Sequence, residues 1–135
     1  MCLFCDIAAG TVAAHFVYED ETSVAFLDHR PLFPGHSLLI TRTHIETFAD
    51  LPAELVPAFF AAAQRLALAV ESAMEAQGTF VAMNNKVSQS VPHLHVHIVP
   101  RRRKDGLRGF FWPRTKYSGD TEMADTAARV RRALE

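Results

Sequence analysis

The chain has 135 residues, 49% apolar and 21% charged, which suits one domain with a core of its own and excludes intrinsic disorder, collagen and coiled-coil architectures. Lys and Arg (14) nearly balance Asp and Glu (15), so no global attraction to nucleic acid or to a membrane surface is expected. Two cysteines make no disulfide framework, no apolar run approaches the ~18 residues of a membrane span, and the first residues carry no basic segment of a secretory signal, so a cytoplasmic, reducing setting is the expectation.

The first forty residues read as short strands separated by turns. Phe16-Val17-Tyr18 is β-prone and ends at an acidic cluster, and Val24 to Leu27 is a second apolar run stopped by Asp28. Arg30-Pro31-Leu32-Phe33-Pro34-Gly35 is a loop, because two prolines and a glycine exclude regular structure, and His36 to Thr41 reads as a strand. From about Pro52 the period changes. Phe59, Ala63, Leu66, Val70 and Met74 recur at helical spacing, with Pro57 in the first turn or at a kink and Gly78 as the expected stop. Thr79 to Met83 is β-prone again. In the last segment, Thr121 to Leu134, Met123, Ala127, Val130 and Leu134 fall on one helical stripe behind Asp120, a plausible N-cap. Consecutive strands on short loops favour antiparallel pairing, hence an α+β fold with the long helix on one face of the sheet.

The stretch that carries chemistry is Pro92-His93-Leu94-His95-Val96-His97-Ile98-Val99-Pro100. Strict alternation predicts a strand that starts at Pro92, with three imidazoles on one face, about 6–7 Å apart, and Leu94, Val96 and Ile98 on the other under the helix. Three adjacent imidazoles cannot all be cationic near neutral pH, so at least one is neutral and able to act as nucleophile or base. A metal cluster and a merely polar sheet face stay open as alternatives. An imidazole nitrogen attacks phosphorus well and the P–N bond is labile, so such a groove suits phosphoryl or nucleotidyl transfer through a covalent intermediate.

His93-Leu94-His95-Val96-His97-Ile98-Val99 resembles the signature of the histidine triad (HIT) superfamily, in which three histidines alternate with apolar residues. Cys2-x-x-Cys5, Phe26-Leu27-Asp28, Gly35-His36-Ser37-Leu38-Leu39-Ile40, Thr43-His44-Ile45 and Gln89-Ser90-Val91 also resemble segments of that family. The resemblance implies a single HIT domain over residues 1–135, with an antiparallel five-stranded sheet, one long helix and a C-terminal helix, assembled as a homodimer. It further implies action at the α-phosphate of a purine (AMP-type) nucleotide, a phosphoramidate or a dinucleoside polyphosphate, with no metal required for catalysis.

By the same resemblance His95 is the nucleophile, His93 orients it through its backbone carbonyl, His97 contacts the phosphate and leaving group, and His36 is a further histidine beside the triad. Gln89, Ser90 and an asparagine, Asn84 in preference to Asn85, would hold the phosphate, and Asp28 the ribose hydroxyls. Leu3, Phe4, Val12, Phe26 and His29 would line the base pocket. Cys2, Cys5, His44 and His93 match the ligands of a structural zinc in some bacterial relatives, a set that is chemically sound for Zn²⁺. One departure stands out: the loop Asn84-Asn85-Lys86-Val87-Ser88 is short and lacks glycine, where many relatives carry a longer Gly-rich loop. A third histidine in the triad, in place of glutamine, sets hexose-phosphate uridylyl transfer aside. Arg101-Arg102-Arg103-Lys104 reads as a solvated loop or a positive rim for polyphosphates. Trp112 would sit near a dimer interface, near a site, or in the core. Within the same fold, a non-catalytic nucleotide-binding module is the alternative to an enzyme.

Overall fold

The computed structural model describes residues 1–107 and 114–135, so the expectation for Trp112 lies outside the described residues. The chain divides into two compact units, Met1–Asp105 and Gly106–Glu135. In the first, helix α1 (Leu3–Ala8) precedes strands β1 (Phe16–Glu19), β2 (Ser23–Leu27) and β3 (Ser37–Thr41). Two 3₁₀ turns then lead into helix α2 (Val56–Ala73), followed by β4 (Gly78–Ala82) and β5 (His95–Arg101). The second unit contains helix α3 (Asp120–Ala133), with Asp120 and Glu122 in its first turn and Arg131 and Arg132 in its last, both favourable to the helix dipole.

The sheet is antiparallel throughout, with strand order β1-β2-β3-β5-β4. After β3 the chain crosses through α2, forms the edge strand β4, and returns as β5 between β3 and β4. The histidine-bearing strand is therefore paired along both edges. Alternation assigns its faces. Val96 and Ile98 join Ala25, Leu39 and Leu94 beneath Phe59, Ala62, Ala63, Leu66 and Val70 of α2. On the opposite face Val24, Phe26, Leu38 and Ile40 pack with Phe4 and Ile7 of α1.

Five local expectations need correction. Residues 3–8 are helical, because Phe4 and Ile7, three apart, bury together while the Cys2 thiol caps the helix by accepting from the Cys5 N–H at 3.4 Å. Helix α2 stops at Ala73, where Glu75 takes a left-handed φ of 50°, and Gly78 opens β4 instead. Strand β5 begins at His95; Pro92 and His93 precede it, since the Leu94 N–H is taken by the Ile45 carbonyl at 2.6 Å. Gly119 caps α3, and Asp120 is its first helical residue. Finally, Ala53–Ala73, with a mean hydropathy of 1.4, is long and apolar enough to cross a bilayer by length and composition; here its apolar stripe lies on the sheet.

Gly35 shows how tightly the loop before β3 is held. Its φ is +97°, and a Cβ there would meet the Met74 Cγ at 2.6 Å. Phe59, 1% exposed, is a large buried anchor of α2. Phe59→Ala is expected to cost about 3–5 kcal/mol, read as a lower denaturant midpoint with an unchanged slope.

Candidate active site

The two histidines within β5 stand opposite β3, His95 across from Ile40 and His97 across from Leu38. Their rings are 5.1 Å apart on the α1 side of the sheet. His93, outside the strand, sends its ring toward the cysteines. Each ring has a partner that decides which nitrogen carries the proton. His95 Nδ1 lies 2.7 Å from the His93 carbonyl, which only accepts, so Nδ1–H donates and Nε2 keeps its lone pair. His93 Nε2 lies 2.7 Å from the Thr41 carbonyl, which leaves the lone pair on Nδ1. His36 Nδ1 accepts from the Leu32 N–H at 3.0 Å, so its proton sits on Nε2, 3.0 Å from His97 Nδ1. His97 Nδ1 must then accept, and its own N–H is Nε2.

Burial favours the neutral form of His36, His93 and His97. It pushes the His97 pKa down from 6.5 to about 4, with His95 and His36 adding repulsion and Asp28 opposing. Burial also lowers the His36 pKa against the pull of Asp28, whose Oδ2 is 3.7 Å from His36 Nε2. The other Asp28 oxygen accepts from the Arg30 N–H at 2.9 Å.

His95 and His97 open on a cavity of about 150 Å³. Of the residues expected in the site, Leu3, Phe4, Phe26, Asp28, His29 and Ser90 line it with them. The Phe4 ring stands edge-on to Phe26 at 5.4 Å and to His95 at 5.0 Å. Ile7, Leu27, Leu38 and Val91 also line the cavity and were missed. Leu38 follows from the register of β3; Ile7 needed α1 to be seen as a helix. Val12, Asn84 and Gln89 do not line it. Val12 packs on the α1-side core. Gln89 donates to the Glu46 carbonyl at 2.6 Å and accepts from the Lys86 N–H at 2.9 Å, bracing the loop. Asn85 accepts from the Phe48 N–H at 2.7 Å, and both it and Asn84 are exposed. In this glycine-free loop Lys86 and Ser88 take left-handed φ values of 68° and 61°, a strain that non-glycine residues rarely carry.

Among the described residues, two clusters have donor atoms close enough to share a metal: Cys2, Cys5, His44 and His93, and Asp28, His36 and His97, each within 4.8 Å. Hydrogen bonding separates them. In the first, Nδ1 of His93 lies 3.4 Å from the Cys2 Sγ and 3.5 Å from the Cys5 Sγ, and Nδ1 of His44 lies 3.3 Å from the Cys5 Sγ. A tetrahedral zinc with ordinary bond lengths has S···N edges of about 3.6 Å, so the spacing fits. The Thr41 carbonyl fixes the His93 tautomer as an outer-shell partner of a metal ligand would. In the second cluster the Leu32 N–H keeps a proton off His36 Nδ1, so Nε2 must hold it and cannot ligate. In that cluster His36 donates to His97, and the Asp28 carboxylate stands 3.7 Å away.

The profile of the HIT domain family matches residues 9–104. The chain is 41% identical over 113 residues to protein hit of Bacillus subtilis, covering 82% of this chain and 78% of that protein. It is 32% identical over 108 residues to an adenylylsulfatase of Arabidopsis thaliana, covering 78% of this chain and 55% of that longer protein. The crystal structure of a HIT family member from Bacillus subtilis superposes with a TM-score of 0.89 at 34% identity, over 99% of this chain and 97% of that one. A zinc-bound histidine triad family protein from Mycobacterium smegmatis superposes with a TM-score of 0.74 at 36% identity, over 95% and 96%.

The His97 environment has a pH consequence. The unfolded chain takes up this proton near 6.5 and the folded chain only near 4, so between these values the unfolded state binds more protons. This contribution to stability is full above about pH 7 and is lost as pH falls toward 4. Urea unfolding of the wild type at about pH 7.5 and pH 5 should show that loss, and His97→Gln should reduce the difference between the two midpoints.

Proposed function

The chain belongs to the HIT domain family, and on that premise we propose that it is a nucleotide hydrolase or nucleotidyltransferase acting at the α-phosphate of a purine nucleotide. The observation that carries this reading is the tautomer of His95: Nδ1 is tied to a backbone carbonyl, and the lone pair on Nε2 is left on a ring that lines the cavity. The apolar wall of Leu3, Phe4 and Phe26 would take the base, and Asp28 would accept hydrogen bonds from the ribose hydroxyls.

In the first step Nε2 of His95 bonds to the α-phosphorus, and the bond from phosphorus to the leaving group breaks. The positive charge gained by the imidazole is stabilised through Nδ1–H by the His93 carbonyl. His97, neutral, donates from Nε2 to a phosphate or leaving-group oxygen, its other nitrogen being held by His36. Water then attacks phosphorus, the P–N bond breaks, and the nucleoside monophosphate and a proton are released. The leaving group is a nucleotide in a dinucleoside polyphosphate or, in a phosphoramidate, an amine that takes a proton from solvent as its bond to phosphorus breaks, a proton that the attacking water gives back in the second step. The similarity to an adenylylsulfatase supports chemistry at an adenylyl phosphorus.

The proposal includes a structural zinc held by Cys2, Cys5, His44 and His93, supported by the S···N spacing and by the zinc-bound relative. It would tie the first residues to the sheet and takes no part in the chemistry. The proposed homodimer would continue the sheet across the edge strand β4.

Rapid-quench mass spectrometry with an adenosine phosphoramidate and with diadenosine polyphosphates should find an adenylyl adduct on His95. His95→Ala should lower kcat by about 10³-fold or more while the fold persists; normal turnover by that variant would remove the mechanism. Metal analysis of purified protein should find zinc, which Cys5→Ser loses.

A further inference from the structure

Helix α1 serves two sites at once. Cys2 and Cys5 face His44 and His93, while Leu3, Phe4 and Ile7 of the same segment line the cavity. The helix is six residues long. Isolated helices below about 12 residues are marginal in water, so α1 owes its order to what its side chains touch. Those contacts are the apolar cluster around Phe4 and Ile7 and the cysteine–histidine cluster.

A second link runs through His93. Its Nδ1 faces both thiols, and its carbonyl accepts the proton of His95 Nδ1 at 2.7 Å. The Phe4 ring touches both histidines edge-on, His93 at 6.0 Å and His95 at 5.0 Å. The cluster and the cavity thus share a helix, a histidine and an aromatic ring.

We infer that metal at Cys2, Cys5, His44 and His93 and nucleotide in the His95 cavity bind with positive coupling, so that the four ligands position the nucleotide site as well as staple the chain. Metal binding orders the α1 wall and sets the His93 backbone; a nucleotide arriving afterwards finds both in place and loses less of its binding energy to ordering them. Linkage makes the effect reciprocal: nucleotide tightens metal by the same factor that metal tightens nucleotide. The inference rests on the nucleotide reading of the cavity.

The test uses the full chain. AMP affinity is measured by calorimetry on zinc-free and zinc-loaded protein, and zinc affinity by competition with a chromophoric chelator, with and without saturating AMP. The expected result is about a tenfold gain in each arm, equal within error. Amide exchange over residues 3–8 should be slower in the zinc-loaded protein. His44→Cys, which retains four ligands, should keep the coupling, and His44→Ala should lose it. Equal AMP affinity in the two forms, with zinc affinity indifferent to AMP, overturns the coupling and leaves the nucleotide reading intact. Zinc-loaded protein that binds no AMP overturns the nucleotide reading, and the coupling with it.

Discussion

The ring of His95 donates from Nδ1 to the carbonyl of His93 over 2.7 Å, and both residues are buried. The bond joins two residues apart by two positions, one inside β5 and one just before it, so it exists only because the chain bends out of the strand at His93. The bend is itself held by the Leu94 N–H on the Ile45 carbonyl and by the His93 ring on the Thr41 carbonyl. Pairing of β5 on both edges and the apolar contacts of Val96 and Ile98 under α2 fix the far end. A ring nitrogen with its lone pair held in a set direction, on a ring that lines the cavity, is what this arrangement delivers.

The groove holds three of its imidazoles, His36, His93 and His97, toward the neutral form. Burial disfavours charge, and backbone groups choose the tautomers: carbonyls for His93 and His95, an N–H for His36. These anchors are part of the fold, so the protonation pattern is as rigid as the sheet. The same logic explains why two clusters of similar spacing differ in kind. A ring whose far nitrogen donates to a carbonyl offers its near nitrogen to a metal, whereas one whose far nitrogen receives an N–H has only a proton to offer.

Much of this could be read from the residues. Alternation from Leu94 to Ile98 identified the strand and both its faces, and the spacing of Phe59, Ala63, Leu66 and Val70 identified α2. What escaped depended on tertiary partners. Leu3–Ala8 is too short for a helical period to register, and its helix is visible only once Phe4 and Ile7 are seen buried against β2 and β3. His93 fits the alternating pattern and still leaves the strand, because a backbone bond to Ile45 outcompetes the ladder. The tautomers of His93 and His36 depend on backbone groups of Thr41 and Leu32, which no side-chain pattern marks. The bracing role of Gln89 is likewise set by the Glu46 carbonyl across the loop.

Gly35 ties the cavity to a remote part of the molecule. Asp28 and His36 sit at either end of a loop whose penultimate residue rests against Met74, the cap of α2. A side chain larger than hydrogen at position 35 would push on the Met74 side chain, beside the segment that carries His36. Glycine is thus held at position 35 on two independent grounds, the left-handed backbone and the neighbouring thioether, and making room at position 74 would lift only the second.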